Sequence, residues 1–324
     1  MEENAMPLII PNDLPATKTL KRENFFVMSE GRAGTQDIRT LEILVVNLMP
    51  TKIATETQLA RVLANSPLQV RLTLLRTKTH QQKNTSEKHM ETFYKTFDEV
   101  KDQRFDGMIL TGAPLDFEDF EEVDYWDEIK TILDWSQENI YTNFYLCWGA
   151  FAALYYYYGI HKTITPDRKK LLGIYEHKVT RRHNPLVRGF DEYFMSPISR
   201  ACYVKREEVA EHPELRILAD CEETGPALIS TENGRQIFML GHNEYGRRTL
   251  AEEYWRDVNK KGFVQLPVNY FENDDPDGEI KLTWRSHGHL LYSNWLNYYV
   301  YQESPYDYLT NKDTTWVNYE RERQ

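Results

Sequence analysis

The sequence predicts an α/β protein whose parallel, doubly wound sheet carries helices on both faces. Two observations support this fold class: short, unbroken apolar runs recur through the first half of the chain, and segments of helical periodicity separate them. An unbroken apolar run is typical of a strand buried on both faces. Strands that alternate with helices form a parallel sheet, and such sheets bind ligands at the carboxyl ends of their strands.

The elements of this sheet can be placed in chain order. Strands are predicted at 43–46, 70–75, 105–110 and 141–146. Helices are predicted between and after them, at 53–63, 90–97, 123–133 and 150–158. Beyond Gly159 and a polar stretch, shorter strands are predicted at 217–219, 227–230 and 237–240, and helices at 247–259 and 290–301.

Composition and breaker residues divide the chain into three parts. Residues 1–40 contain three prolines in their first half and are interpreted as an N-terminal arm packed on the domain. Residues 41–303 are predicted to form a single α/β domain. Residues 304–324 are predicted to be a polar C-terminal tail that frays.

Bulk properties restrict the kinds of partner. The chain has 324 residues, of which 41% are hydrophobic, enough for a sizeable core. Its net charge of −11 argues against a nucleic acid or an anionic membrane as the main partner. Three cysteines without zinc-ligand spacing, no basic and apolar leader, and no apolar run near ~20 residues together predict a cytoplasmic protein without a metal site.

Cys147 is the first candidate for chemistry. The apolar run 141–146 ends at this cysteine, and Trp148, Gly149 and a helical segment follow. A thiol on such a strand-to-helix turn faces a helix N-terminus, which favours the thiolate. A buried, inert thiol is the alternative, about equally probable from position alone. Cys202 and Cys221 lack this context and are interpreted as structural.

His242 and Glu244 follow the predicted strand 237–240. The carboxylate could hold the imidazole in one tautomer, as the third member of a catalytic triad does. A surface turn is the alternative. Together with the Cys147 turn, the pair suggests a Cys–His–Glu arrangement.

Three charged residues admit both a functional and an ordinary interpretation. Lys52 lies in the first turn of a helix, where a cation is disfavoured, so either an anionic ligand lies nearby or the lysine is simply solvated. Arg256 could clamp a carboxylate, although a surface salt bridge is the commoner role. Asp116 opens an acidic stretch that helix capping would explain. The two histidines at 287 and 289 lack a third acidic ligand, so no metal site is assigned there.

Taken together, these segments resemble the homoserine O-acyltransferase family, the homoserine O-succinyl- and O-acetyltransferases of methionine biosynthesis. The resemblance spans nearly the whole chain, in the segments 6–10, 47–52, 65–69, 111–114, 147–148, 173–177, 241–245 and 294–302. It implies a fold similar to the class I glutamine amidotransferases, with a Cys–His–Glu triad.

The resemblance also implies roles for individual residues. Cys147 would be the acyl-accepting nucleophile, His242 the general base and Glu244 its partner. The other implied positions are Lys52 in the active site, Lys170, Ser199 and Arg256 in substrate binding, and Asp116 in acyl-donor selection. The implied reaction is ping-pong, with acyl-CoA as donor, L-homoserine as acceptor and no permanently bound cofactor. The backbone N–H of Trp148 would stabilise the oxyanion, and such donors are worth roughly 3–4 kcal/mol each.

Asp116 departs from the family pattern, in which glycine accompanies succinyl and glutamate accompanies acetyl donors. Succinyl ends in a carboxylate, and a second carboxylate ~5 Å away would cost about 3 kcal/mol at an effective dielectric of ~20. We therefore predict acetyl-CoA. Phe151 and Ile198 replace a glutamine and a histidine common in the family, and the loop before Lys170 is about two residues longer than in some relatives.

Other functions remain open at this point. They are succinyl transfer, L-serine as acceptor, a glutamine amidotransferase or amidase, and a binding protein with a vestigial triad. Tyr145 stands where the amidotransferase elbow Gly-x-Cys-x-Gly has its first glycine, which argues against that class. The family further suggests a homodimer.

Overall fold

The structure, a computed structural model, describes residues 8–11, 13–23, 25, 27–28, 39–79, 84–262 and 264–304. Within these ranges the strands are β1 (Leu8–Ile9), β2 (Val27–Met28), β3 (Leu41–Val46), β4 (Val70–Leu75), β5 (Tyr94–Lys95), β6 (Phe105–Leu110), β7 (Ile140–Leu146), β8 (Thr163–Ile164), β9 (Leu171–Val179), β10 (Tyr193–Arg200), β11 (Cys202–Tyr203), β12 (Leu215–Cys221), β13 (Gly225–Thr231) and β14 (Gln236–Met239).

The helices lie mostly between these strands. They are α1 (Ala16–Arg22), α2 (Lys52–Leu63), α3 (Glu87–Phe93), α4 (Phe97–Val100), α5 (Trp126–Asn139), α6 (Trp148–Tyr158), α7 (Arg206–Ala210), α8 (Thr249–Lys261), α9 (Arg285–Asn294) and a π-helix (Trp295–Tyr301). Short 3-10 turns are Phe120–Glu122, Pro166–Arg168, Pro185–Val187 and Glu272–Asp274.

One large sheet organises the described residues, in the strand order β10-β9-β12-β13-β14-β7-β6-β3-β4-β1-β2, with β5 paired to β4. From β14 to β2 the pairs are parallel. The predicted α/β fold class with a parallel sheet is confirmed. The strands β13, β12, β9 and β10 extend this sheet in antiparallel fashion.

The sequence analysis missed β9 and β10 because their apolar residues are interrupted by polar ones. The segment Leu171–Val179 alternates buried and exposed positions only at its end. Pro197 stands inside Tyr193–Arg200, although proline is disfavoured within a strand. Of the two, β10 carries Ser199 and Arg200 into the site.

Helices cover both faces of the parallel part of the sheet. Ile43 and Val45 point into a core shared with α1, α2 and α9, whereas Leu44 and Val46 point into a second core shared with α5 and α6. This strict alternation along β3 explains why the run is apolar throughout, since both faces of the strand are buried.

The carboxyl ends of the parallel strands are in register. Val46 of β3 pairs with Leu110 of β6, Leu110 pairs with Tyr145 of β7, and Leu146 pairs with Met239 of β14. The residues that follow each strand therefore meet at one edge of the sheet, which we call the catalytic edge: the segment Asn47–Lys52, Thr111–Gly112, Cys147 and Gly241–His242.

The described part of the predicted arm contributes helix α1 and the last two strands at one end of the sheet, β1 and the edge strand β2. Apart from Ser304, the predicted C-terminal tail lies outside the described residues, so the domain boundaries stay predictions. Within the described ranges, no helix is both long enough and apolar enough to cross a bilayer.

Candidate active site

Cys147 occupies a strained turn between β7 and α6. Its backbone angles are φ 46° and ψ −114°, a region that costs a non-glycine residue about 1–3 kcal/mol. The Cys147 N–H donates to the Met239 carbonyl at 2.8 Å, which ties the turn to β14. Two residues on, a Cβ on Gly149 would lie 2.7 Å from the carbonyl oxygens of Leu110 and Thr111. The glycine after the cysteine therefore lets α6 start against the end of β6.

His242 lies beside this turn and is held by two neighbours. Its Nδ1 bonds to Glu244 Oε1 at 2.7 Å, which leaves Nε2 for the Cys147 thiol, with which the imidazole is also hydrogen-bonded. The Tyr245 ring stacks on the imidazole with centroids 4.1 Å apart. Cys147, His242 and Glu244 are all buried. The structure thus brings the predicted triad together.

The electrostatics of the triad favour an ion pair. Burial opposes the charged imidazolium, but the Cys147 thiolate and the Glu244 carboxylate outweigh it and hold the pKa of His242 well above its usual value. The imidazole therefore holds its proton beside the Cys147 sulfur. A thiolate paired with an imidazolium is a nucleophile for carbonyl carbons.

Two backbone segments lie against the Cys147 turn. Trp148 is the first residue of α6, and the first N–H groups of a helix have no intrahelical acceptor. Gly112 approaches from the end of β6, where a Cβ would lie 3.2 Å from Cys147 Cβ and 3.7 Å from Trp148 N. The segment 111–114 follows a predicted strand and is part of the family resemblance, but the sequence analysis assigned no role to Gly112.

Lys170, Ser199 and Arg256 gather around two carboxylates of α8. Ser199 Oγ donates to Glu253, and Lys170 Nζ lies 3.6 Å from Glu253 and 3.2 Å from Asp257. Arg256 Nη2 lies 3.0 Å from Asp257. The three predicted substrate-binding residues are therefore neighbours in space although 86 residues separate the first from the last.

Glu253 connects this group to the triad. Besides Ser199, it accepts a hydrogen bond from the Tyr245 hydroxyl at 2.8 Å, and Tyr245 stacks on His242. Sequence reasoning missed both Glu253 and Asp257. Their spacing of four residues was the only signal, and an ordinary amphipathic helix gives the same spacing.

Lys52 is fully buried in a polar cluster at the start of α2. Its Nζ donates to the Asn47 carbonyl, and burial lowers the pKa of Lys52 to about 7, although Glu56 one turn on opposes this shift. Glu56 Oε1 accepts from the Tyr94 hydroxyl at 2.7 Å and lies 2.9 Å from His89 Nε2. The Glu56 carboxylate therefore acts on the Lys52 cation at this helix N-terminus, so an anionic ligand is not needed to explain the lysine.

The solvated-lysine interpretation of Lys52 is wrong, since the side chain is 0% exposed. Its described contacts do not include the triad. The segment that contains Lys52 is connected to Cys147 indirectly. The Leu48 N–H donates to Thr111 Oγ1 at 2.8 Å, and the next residue, Gly112, packs on the cysteine. Glu56, His89 and Tyr94 carried no motif that sequence reasoning could use.

Asp116 does not cap a helix. Its Oδ2 accepts from the Ala201 N–H at 2.9 Å, and its Oδ1 lies 3.9 Å from the Cys202 sulfur. Burial raises the pKa of Asp116, and the Ala201 N–H and the nearby Lys170 and Arg200 charges oppose that shift. The carboxylate is thus turned inward, toward the end of β10.

Among the described residues, no group of three His, Cys, Asp or Glu side chains is arranged to hold a metal ion.

Comparison with known proteins gives consistent matches. A family model described as homoserine O-succinyltransferase matches residues 7–306. A homoserine O-acetyltransferase of Clostridium tetani is 52% identical over 307 residues, covering 94% of this chain and 100% of that protein. One of Acetivibrio thermocellus is 53% identical over 302 residues, covering 93% and 98%. One of Brevibacillus brevis is 51% identical over 307 residues, covering 95% and 100%.

Solved structures share the fold. A glutamine amidotransferase from Thermotoga maritima aligns with a TM-score of 0.53 at 12% identity, covering 79% of this chain and 96% of that one. At this identity the likeness shows the fold alone, and it confirms the amidotransferase-like architecture that the sequence predicts.

Proposed function

The chain belongs to the homoserine O-succinyltransferase family, and on this premise we propose that it transfers an acetyl group from acetyl-CoA to the hydroxyl of L-homoserine. The family description names succinyl, whereas the relatives at about 50% identity are named for acetyl transfer. The observation that carries the chemistry is the hydrogen-bonded series Cys147–His242–Glu244 at the catalytic edge.

The first half-reaction uses the ion pair. The Cys147 thiolate attacks the thioester carbonyl of acetyl-CoA, and the Trp148 N–H donates to the oxyanion that forms. The carbon–sulfur bond to CoA then breaks, and His242 gives its proton to the departing CoA sulfur. The product is an acetyl thioester on Cys147 with a neutral imidazole beside it.

The second half-reaction follows from the charge that the first one removes. The thiolate is the largest influence that raises the pKa of His242, so acylation of the sulfur lowers that pKa and makes the imidazole a base. His242 takes the proton of the homoserine hydroxyl, whose oxygen attacks the acetyl carbon. Cys147 leaves as a thiolate beside the protonated imidazole, which restores the starting ion pair.

The cluster on α8 fits an amino-acid acceptor. Homoserine carries an ammonium and a carboxylate on one carbon, and Glu253 and Arg256 lie one turn apart on one helix. We assign the ammonium to Glu253 and the carboxylate to Arg256 and Lys170, with Ser199 between them. The existing ion pairs of Lys170 and Arg256 with Asp257 hold the two cations in place. Lys52 stabilises the catalytic edge through its hydrogen bond to the Asn47 carbonyl.

Mass spectrometry of the intact protein tests this proposal. Incubation with acetyl-CoA should add an acetyl group to the peptide containing Cys147, and L-homoserine should discharge it. Cys147→Ala should abolish the adduct, and Cys221→Ala, as a matched control, should keep it. Absence of an adduct with both acetyl-CoA and succinyl-CoA would refute the acyl-enzyme mechanism. Discharge by L-serine but not by homoserine would reassign the acceptor.

Asp116 should decide the donor. A carboxylate about 5 Å from the succinyl terminus costs about 3 kcal/mol, roughly a hundredfold in kcat/KM. Asp116→Asn removes the charge at constant size, so it should raise kcat/KM for succinyl-CoA by at least tenfold, and Asp116→Gly should raise it further. Asp119→Asn in the same loop is the control. If the Asn variant still excludes succinyl-CoA while the Gly variant accepts it, exclusion is steric.

The remaining parts of the proposal are a cytoplasmic location, a homodimer, and no permanently bound cofactor. Three free, buried cysteines fit a reducing compartment. Sedimentation of the purified protein measures the oligomeric state.

A further inference from the structure

Arg200 is a cation that neither the triad nor the acceptor cluster explains. It ends β10 and is 0% exposed. Its Nε donates to the Leu240 carbonyl at 3.1 Å, one Nη to the Thr224 carbonyl at 3.0 Å, and the other Nη to the Cys202 carbonyl. Within the described residues, all its hydrogen-bond acceptors are backbone carbonyls, and none is a carboxylate.

A buried guanidinium without a bonded anion is expensive. The effective penalty for burying an ion is several kcal/mol, and neutral carbonyls offset only part of it. A buried charge of this kind is therefore a candidate functional group. Burial has the largest effect on the pKa of Arg200 and lowers it, whereas Cys202, Cys147, Asp116 and Cys221, in decreasing order, oppose that shift.

Most of the surrounding titratable groups are neutral. Burial raises the pKa of the Cys202 thiol and raises the pKa of Tyr175 to about 12. Burial, reinforced by the Arg200 charge, lowers the pKa of His177 to about 4, and this imidazole is hydrogen-bonded to the Tyr175 carbonyl and the Thr224 hydroxyl. Of the groups that act on Arg200, Cys147 is the one that the proposed mechanism requires as an anion.

Two contacts place the guanidinium near both members of the catalytic pair. Leu240, whose carbonyl holds Nε, is two residues before His242. The guanidinium also lies 5.8 Å from the ring centroid of Phe151, and the Phe151 N–H donates to the Cys147 carbonyl at 3.0 Å. Arg200 therefore lies beside Phe151, one helical turn along α6 from Cys147.

The charge balance of the site follows directly. With the thiolate, the imidazolium and the Glu244 carboxylate, the buried triad carries a net charge of −1. Arg200 brings that sum to zero. Asp116 competes for the same cation, because the N–H that it accepts belongs to Ala201, the residue after Arg200.

We propose that Arg200 is the fixed counter-charge of the Cys147 thiolate, a positioning residue that stabilises the anionic sulfur without touching substrate. This proposal rests on the proposed function in one respect, that Cys147 is the nucleophile. A counter-charge of this kind favours the sulfur both as attacking group and as leaving group, and so it serves both half-reactions.

The chain also shows why this cation is an arginine. Burial lowers the pKa of Lys52 to about 7, so a lysine in this interior loses its proton near neutral pH. Burial lowers the pKa of Arg200 as well, but a guanidinium starts high enough to stay charged. The planar guanidinium also donates hydrogen bonds to three backbone carbonyls at once, a geometry that a lysine ammonium does not reproduce.

The test is the pH dependence of Cys147 alkylation by iodoacetamide, followed by peptide mass spectrometry in the absence of acyl-CoA. Arg200→Met should move the pH midpoint upward by at least one unit, which at pH 6 slows alkylation about tenfold. Arg200→Lys should move it by less. Arg206→Met breaks a surface ion pair with Asp220 and should leave the midpoint unchanged. Circular dichroism checks that each variant is folded.

A folded Arg200→Met or Arg200→Lys protein with an unchanged midpoint would overturn the proposal and leave Arg200 a structural residue. If both variants fail to fold, Asp116→Asn decides, because removal of the competing carboxylate should lower the midpoint. A midpoint that stays or rises in Asp116→Asn would then overturn it. Since no acyl donor is present, failure of acyl transfer itself is detected separately, by the absence of an acetyl adduct.

Discussion

At the scale of single residues, the site depends on where one proton resides. His242 bonds to Glu244 through Nδ1 and to the Cys147 sulfur, and these two anions keep its pKa high despite burial. The same imidazole must donate a proton to CoA and later accept one from homoserine. The change of charge on Cys147 between the two steps is what lets one residue do both.

Glu244→Gln tests this arrangement. The amide keeps the size of the side chain but removes a charge that supports the imidazolium, so the pKa of His242 falls. A cation whose pKa falls is lost at lower pH, so the alkaline limb of Cys147 acetylation should move to lower pH. We expect kcat/KM for acetyl-CoA to drop by about 10²-fold or more. Stopped-flow pH profiles measure both effects, and a profile of unchanged shape would contradict the ion-pair account.

At the scale of elements, α6 starts where only glycine fits two residues after the nucleophile. Gly149→Ala places a Cβ 2.7 Å from two backbone carbonyl oxygens, so α6 or β6 must shift. We expect a loss of about 1–3 kcal/mol in unfolding free energy, as for other overpacked sites, together with slower acetylation. Gly159→Asn at the other end of α6 is the control, because that site is open and asparagine tolerates its φ of 67°. Equal losses in the two variants would contradict the argument.

Helix α2 carries the second buried ion cluster. Lys52 has a folded pKa of about 7 against an ordinary value of 10.5, so the unfolded chain binds more protons between these values and stability rises with pH across that window. Glu56→Gln removes the carboxylate that offsets burial, and it should cost about 1–3 kcal/mol at pH 7. At pH 9 Lys52 is neutral in both proteins, so the difference should shrink.

Urea unfolding at the two pH values measures this effect, with Glu91→Gln on the exposed face of α3 as the control. A loss in Glu56→Gln that is the same at pH 7 and pH 9 would show that Glu56 acts only as a hydrogen-bond acceptor for Tyr94 and His89.

At the scale of the whole molecule, the site joins two parts of the sheet. The parallel strands supply Cys147 and His242, while the antiparallel extension and α8 supply Ser199, Lys170 and Glu253. Tyr245 is the physical bridge, since it stacks on His242 and bonds to Glu253. Acyl chemistry and acceptor binding are therefore adjacent but separable.

Glu253→Gln should separate them. We expect acetylation of Cys147 to stay within about twofold, because Glu253 does not touch the triad. Discharge by homoserine should slow by at least tenfold, with a raised KM, because a charge-assisted hydrogen bond to the ammonium is lost. Single-turnover measurements with acetyl-enzyme and homoserine resolve the two steps. Equal slowing of both would place Glu253 in the triad's support, and Glu252→Gln is the exposed control on α8.

Sequence patterns alone predict the fold class, which the structure confirms, and suggest the triad, whose residues the structure brings together. Unbroken apolar runs predict buried parallel strands, and Cys147 and His242 each follow such a run. Because parallel strands end at the same edge of a sheet, both residues lie at that edge. The family resemblance then assigned four more residues to the site, namely Lys52, Lys170, Ser199 and Arg256.

The surroundings of these residues are visible only in the folded protein. Glu56, Gly112, Arg200, Glu253 and Asp257 act through contacts between segments far apart in the chain, and neither periodicity nor spacing records such contacts. The value of a buried charge depends on which dipoles and ions the fold places around it. For that reason the sequence could present Arg200 as one more arginine, while the fold makes it the cation beside the nucleophile.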